Sequence, residues 1–162
     1  MPTYSKIIPD EEIIRRVSGK SKNVYLIGCA GCMNESLAFD NGLPIWTAHG
    51  SNKRFPAIEA ECIRITKLLK QNGIQATYKV IPGGESALCI LSHDKEHYPL
   101  DIKPEYDAVL VLACPSGFQD ICNNTEVRTI ILTEQIGSIN YSFEEEEGTR
   151  RIIGGSKTAF AE

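Results

Sequence analysis

The stretch DAVLVLAC, residues 107–114, carries the strongest strand signal in the chain and decides the fold class. Its apolar run has no alternating polar position that would mark a solvent-facing side, so it predicts a strand buried within a sheet. The run continues directly into Cys114. The sequence therefore predicts a cysteine at the carboxyl end of a buried strand.

The pattern repeats in both directions from this strand. NVYLIG at 23–28 is a second apolar run, typical of a strand buried on both faces, and it leads into Cys29. Strands are also predicted at 74–81 and 128–132, and helices at 9–17, 53–72 and 115–122. Strands that alternate with helices predict one open, doubly wound, mostly parallel sheet of the flavodoxin or Rossmann kind, with helices on both faces.

The length of 162 residues fits one domain with its own core. We expect a single α/β metal-binding domain over residues 1–140. Residues 141–162 begin acidic and become rich in glycine, with little periodicity, which predicts either a loosely ordered tail or a docking arm.

Composition excludes two classes of partner. The net charge is −4 and the 17 Lys and Arg are scattered, so we expect no nucleic-acid binding. No segment is apolar enough to cross a membrane, and no signal-like start is present, so we expect a cytoplasmic protein. In that reducing compartment six cysteines are expected to serve as thiols, metal ligands or redox groups.

Four of the cysteines are expected to meet at one rim of the sheet. Functional crevices of open α/β sheets lie at the carboxyl ends of the strands, where Cys29, Cys32 and Cys114 fall. The loop that carries Cys89 follows the strand at 74–81 and can reach the same edge. Four thiolates make a tetrahedral zinc site or the ligand set of a [4Fe–4S] cluster, and spacing alone does not separate the two.

The other two cysteines have packing roles in this interpretation. Cys62 lies on the apolar stripe of the helix at 53–72 and is expected to fill the core. Cys122 shares a helical face with Phe118 and Ile121, so packing is expected there too. Because Cys122 is only a short distance along the chain from Cys114, it stays a spare candidate ligand.

Two motifs, GCAGC at 28–32 and DAVLVLACPSGFQDI at 107–121, resemble the small iron–sulfur subunit of the acetogen-type methylenetetrahydrofolate reductase, a family that also occurs as a C-terminal domain of some reductases. The resemblance covers about residues 9–137. It implies a non-catalytic partner that carries an iron–sulfur centre and passes electrons to a flavin-dependent reductase of one-carbon metabolism.

The resemblance also implies ligands. The motif cysteines of the family correspond to Cys29, Cys32 and Cys114, and Cys89 falls where the family has a cysteine after its second strand. Two departures are present: Ser36 stands where the family often has a further cysteine, and no cysteine follows Cys122. At most one cluster is therefore expected.

Two other functions stay open. The same four ligands suit a structural zinc-binding interaction module in a methyl-transfer complex. An enzyme with His49, Glu35 or Glu85 as acid or base is the remaining alternative, and no catalytic motif supports it. His93 and His97, four residues apart in a polar, proline-bounded segment, are expected to be solvated.

Overall fold

A computed structural model describes residues 2–82, 89 and 100–160, which form two β-sheets and four helices. In chain order the elements are β1 (Thr3–Ile7), α1 (Asp10–Val17), β2 (Asn23–Ala30), α2 (Cys32–Asn41), β3 (Trp46–His49), β4 (Asn52–Arg54), α3 (Pro56–Gln71), β5 (Gln75–Pro82), β6 (Ala108–Leu112), α4 (Pro115–Cys122), β7 (Thr129–Ile131), β8 (Thr133–Glu146) and β9 (Thr149–Ala159).

The first sheet is parallel, with the order β5-β2-β6-β7. Successive side chains of β2 point to opposite faces: Leu26 joins the core beneath α1 and α3, whereas Ile27 joins a second cluster with Ile121 of α4. Both faces are therefore buried, and the predicted helices and strands of this half lie within a few residues of their observed positions.

The second sheet is antiparallel, with the order β1-β8-β9-β3-β4. Its main feature is the long hairpin of β8 and β9, whose turn residues Glu147 and Gly148 both have positive φ angles of 49° and 75°. Two successive residues with positive φ suit the right-handed twist of a hairpin. The described part of the expected tail, 141–160, thus lies largely in this hairpin.

The prediction of a single, mostly parallel, doubly wound sheet is wrong. Among the residues that the structure describes, five strands pair antiparallel in a separate sheet and four form the parallel one. The cause is pairing over long sequence distances: Thr3 of β1 lies opposite Ser138 of β8, and Trp46 of β3 lies opposite Arg150 of β9. Such pairing leaves no local pattern in the sequence.

Helix α2 joins the two sheets because it contacts both β1 and β2. The hydroxyl of Ser36 accepts a hydrogen bond from the N–H of Ser5 at 3.1 Å and lies 3.2 Å from the carbonyl oxygen of Thr3. The buried amide of Asn34 donates to the Ile45 carbonyl and accepts from the Ile58 N–H in the first turn of α3. These buried side chains fix α2 between its neighbours.

Helix α3 packs unusually close to β2 at Gly28. A Cβ atom at this position would lie 2.7 Å from the Cys62 Sγ and 3.0 Å from Ile58 Cγ1. The absence of a side chain therefore sets the distance between helix and strand. Within the residues described, no helix is both long and apolar enough to cross a lipid bilayer.

Candidate functional site

Two cysteines meet where β2 and β6 end. These strands are neighbours in the parallel sheet, with Gly28 opposite Leu112. Cys32 is the first residue of α2, just after β2, and Cys114 is the N-cap residue of α4, just after β6. The strand-to-helix turns of two adjacent β-α units therefore deliver both sulfurs to the same edge of the sheet.

The side chains of Cys32 and Cys114 lie close enough together to change each other's ionisation. Their interaction is the largest cause of both shifts: it lowers the pKa of Cys114 to about 5 and raises the pKa of Cys32. The negative charge is therefore favoured on Cys114 rather than on Cys32. Both side chains are only partly buried, and no disulfide joins them.

The first turn of α4 adds to the stabilisation of the Cys114 thiolate. The backbone N–H groups of Gly117 and Ser116 lower the pKa of Cys114, although neither contact has the geometry of a full capping hydrogen bond. Peptide N–H groups at a helix start favour negative charge there. Cys114 is thus the more acidic thiol of the pair.

Strand β1 of the antiparallel sheet places Thr3 beside the pair. The hydroxyl of Thr3 is buried without a conventional hydrogen-bond partner, and it lowers the pKa of both Cys32 and Cys114. Ser36 holds this part of β1 against α2. The sequence does not predict that Thr3 lies near the two cysteines, because β1 is far from both along the chain and has no clear strand pattern.

The other two predicted ligands lie at the edges of this arrangement. Cys29, still within β2, is buried in the cluster that contains Ile27, Ile81 and Ile121. Cys89 is exposed; its pKa is raised by desolvation first, and then by the negative charges of Cys114 and Asp120. Cys89 therefore lies within electrostatic range of Cys114.

The four predicted cysteine ligands are only partly arranged for binding one metal centre. Two of the four predicted ligands, Cys32 and Cys114, interact with each other, and the charge of Cys114 raises the pKa of a third, Cys89. Within residues 2–82, 89 and 100–160, however, no three His, Cys, Asp or Glu side chains are arranged to hold a metal ion. A shared centre would require Cys29 and Cys89 to approach the interacting pair.

The remaining cysteines lie apart from the pair. Cys62 is fully buried in the core on α3, and burial raises its pKa to about 12. Cys122 is half-buried at the last position of α4. Helix α4 therefore separates Cys122 from Cys114 by two turns of backbone.

A carboxyl group lies one helical turn from Cys32. Glu35 accepts a hydrogen bond of 2.7 Å from the Tyr141 hydroxyl of β8. Burial raises the pKa of Glu35, while Tyr141 and the charge of Arg150 oppose the rise. The charge of Glu35 also contributes to the raised pKa of Cys32. The site thus places a largely buried carboxyl with a raised pKa near the thiol pair.

The other acid–base candidates of the sequence are not part of this arrangement. His49 is exposed at the end of β3. Glu85, His93 and His97 lie outside the described residues. Tyr141 and Arg150 were not predicted, because the hairpin that carries them was expected to be a tail.

Comparison of the chain with known protein families, with curated proteins and with solved structures found no match.

Proposed function

We propose that the protein holds a [4Fe–4S] cluster on Cys29, Cys32, Cys89 and Cys114 and serves as a non-catalytic electron-transfer subunit. Its partner would be a flavin-dependent reductase of the methylenetetrahydrofolate reductase type or a methyl-transfer protein. We place this activity in the reducing cytoplasm, where thiolate ligands persist. The observation that carries the proposal is the meeting of Cys32 and Cys114 from two separate strand ends.

The chemistry of the donors supports a thiolate-bound centre. Cys32 and the start of α4 lower the pKa of Cys114, which favours its thiolate form even without a metal. Metal ligation requires deprotonated sulfur, so a preformed thiolate lowers the cost of binding. A cluster would supply one-electron transfer, and the chain would supply its ligands.

The test is the metal content of protein purified without oxygen. Iron and acid-labile sulfide at about four per chain, with a brown colour that bleaches on reduction, are expected. About one zinc per chain in a colourless protein would favour the structural zinc module with the same ligands. A chain without stoichiometric metal under these conditions would contradict both.

Single substitutions localise the centre. Cys32→Ser and Cys114→Ser are expected to lose the metal, because each removes a sulfur of the interacting pair. Cys122→Ser is the matched control, since it changes the same atom at the other end of α4. Equal loss in Cys122→Ser and Cys114→Ser would show that the metal is held elsewhere.

A second candidate is a dithiol that exchanges electrons without metal. The closeness of the Cys32 and Cys114 side chains favours it. In that reaction the Cys114 thiolate attacks a disulfide substrate, forms a mixed disulfide and releases one thiolate, which takes the proton of Cys32. The Cys32 sulfur then attacks the Cys114 sulfur, forms the Cys32–Cys114 disulfide and releases the second half of the substrate as a thiolate. The test is reduction of a small disulfide by the metal-free chain, which Cys114→Ser should abolish.

A further inference from the structure

A cavity of about 410 Å³ lies away from the thiol pair, between the end of α1, helix α4 and strand β7. Four cationic side chains line it: Arg15, Arg16, Lys20 and Arg128. The chain as a whole carries a net charge of −4, so this grouping runs against the overall charge. A concentration of positive charge around a concave surface attracts anions.

Only part of this charge is neutralised by the protein. Glu12 forms ion pairs with both Arg15 and Arg16, which lower its pKa to about 2 and keep it ionised. Lys20 and Arg128 have no ion-pair partner among the residues that the structure describes. Four cations against one carboxylate leave three positive charges for a ligand.

Two of the arginines are held in place by backbone groups. Arg16 donates to the carbonyl oxygen of Ile131 at 2.8 Å, which fixes it between α1 and β7. Arg128 donates to the Arg16 carbonyl oxygen at 3.3 Å, at the end of α1. Guanidinium groups that are already oriented lose less conformational freedom when they bind a phosphate.

The cavity also has apolar walls. Phe118 of α4 and Ile130 and Ile131 of β7 line it beside the cations. A flat aromatic side chain next to arginines suits a ligand with a ring at one end and an anionic group at the other. The volume lies in the range of pockets that hold small molecules.

We infer that this cavity binds a phosphorylated small molecule of nucleotide size, with its phosphates on Arg128 and Lys20 and its ring against Phe118. The inference does not rest on the proposed metal centre. Phe118 lies one turn along α4 from Cys114, since its N–H donates to the Cys114 carbonyl oxygen at 3.0 Å. The same helix therefore contributes to both sites.

The test is calorimetric titration of the full chain with ADP, pyrophosphate and adenosine at low salt. ADP should bind with a Kd below about 1 mM, more tightly than pyrophosphate, and added salt should weaken both. Adenosine should bind much more weakly than either. Absence of ADP binding, or adenosine binding as tightly as ADP, would overturn the inference.

Substitutions locate the ligand. Lys20→Gln combined with Arg128→Gln should weaken ADP and pyrophosphate binding by about tenfold or more. Phe118→Leu should weaken ADP binding while pyrophosphate binding is retained. The matched control is Lys67→Gln with Lys70→Gln, which removes the same charge around a different cavity on α3. Equal weakening by the two double variants would mean that only net charge attracts the ligand and would overturn the inference.

Discussion

Cys114 differs chemically from the other cysteines because of the groups around its sulfur. The Cys32 side chain and the N–H groups at the start of α4 both lower its pKa. The sequence predicted that Cys32 and Cys114 share one edge of the sheet, since strand ends can be predicted from apolar runs. It did not predict which sulfur is ionised, because that depends on side-chain contacts between two turns.

The ionisation of Cys114 can be measured by its reactivity. In the metal-free chain the alkylation rate of Cys114 should follow a titration with a midpoint at a pH of about 5, while Cys62, with a pKa of about 12, stays unmodified near neutral pH. Mass spectrometry of peptides alkylated by iodoacetamide at different pH values measures both.

The control for this experiment is Cys32→Ala. It removes the largest cause of the lowered pKa, so the midpoint for Cys114 should move to higher pH. An unchanged midpoint in Cys32→Ala would show that the two side chains do not interact.

Glu35 is predicted to make stability depend on pH. Its pKa in the folded protein lies above the ordinary value of 4.5, mainly because of burial. The protonated form is favoured in the folded state, so its contribution is complete below pH 4.5 and is lost as the pH rises through the folded pKa. Denaturant unfolding at several pH values measures the free energy of unfolding. In Glu35→Gln this free energy should not fall as the pH rises through that range.

Tyr141→Phe is the companion variant for Glu35. The Tyr141 hydroxyl lowers the pKa of Glu35, so its removal should raise that pKa further and widen the pH range over which stability is lost. Identical pH profiles for the wild type and both variants would refute a buried, titrating carboxyl at this position.

Among the elements, those of the parallel sheet could be predicted and those of the antiparallel sheet could not. Strands β2 and β6 are continuous apolar runs, and α3 has apolar residues at helical spacing. Helix α2 was missed because its inner face carries the buried polar residues Asn34 and Ser36, which interrupt the apolar period. Their hydrogen-bond partners lie in other elements, which no local pattern reveals.

The close packing of α3 on β2 predicts a clear effect of one added methyl group. Gly28→Ala should lower the free energy of unfolding by about 1–3 kcal/mol, because its Cβ would overlap Cys62 Sγ and press on Ile58. Chemical denaturation measures the change. Gly154→Ala is the control: no atom lies within 4 Å of its Cβ, so a change within about 0.5 kcal/mol is expected.

A double variant separates overlap from other causes. In Gly28→Ala with Cys62→Ala the space released by the sulfur can hold the new methyl group, so the two losses should not add. Simple additivity of the two single variants would contradict the close contact between this strand and helix.

In the molecule as a whole, the thiol pair lies where the two sheets meet. The parallel sheet supplies both cysteines, while the antiparallel sheet supplies Thr3 beside the sulfurs and Tyr141 beside Glu35. The sequence predicted the position of the two cysteines, because they follow the ends of apolar strands. It could not predict the positions of Thr3 and Tyr141, because β1 and β8 pair across more than a hundred intervening residues.

The central structural claim is that in the metal-free chain the Cys32 side chain interacts with Cys114 of a different loop, and not with Cys29 of its own C-x-x-C motif. Oxidation of the metal-free chain with glutathione disulfide, followed by peptide mapping, tests it most directly. We predict that Cys32–Cys114 is the first internal disulfide to form, because these two side chains interact and Cys114 is the more acidic thiol. A first disulfide between Cys29 and Cys32 would contradict the account.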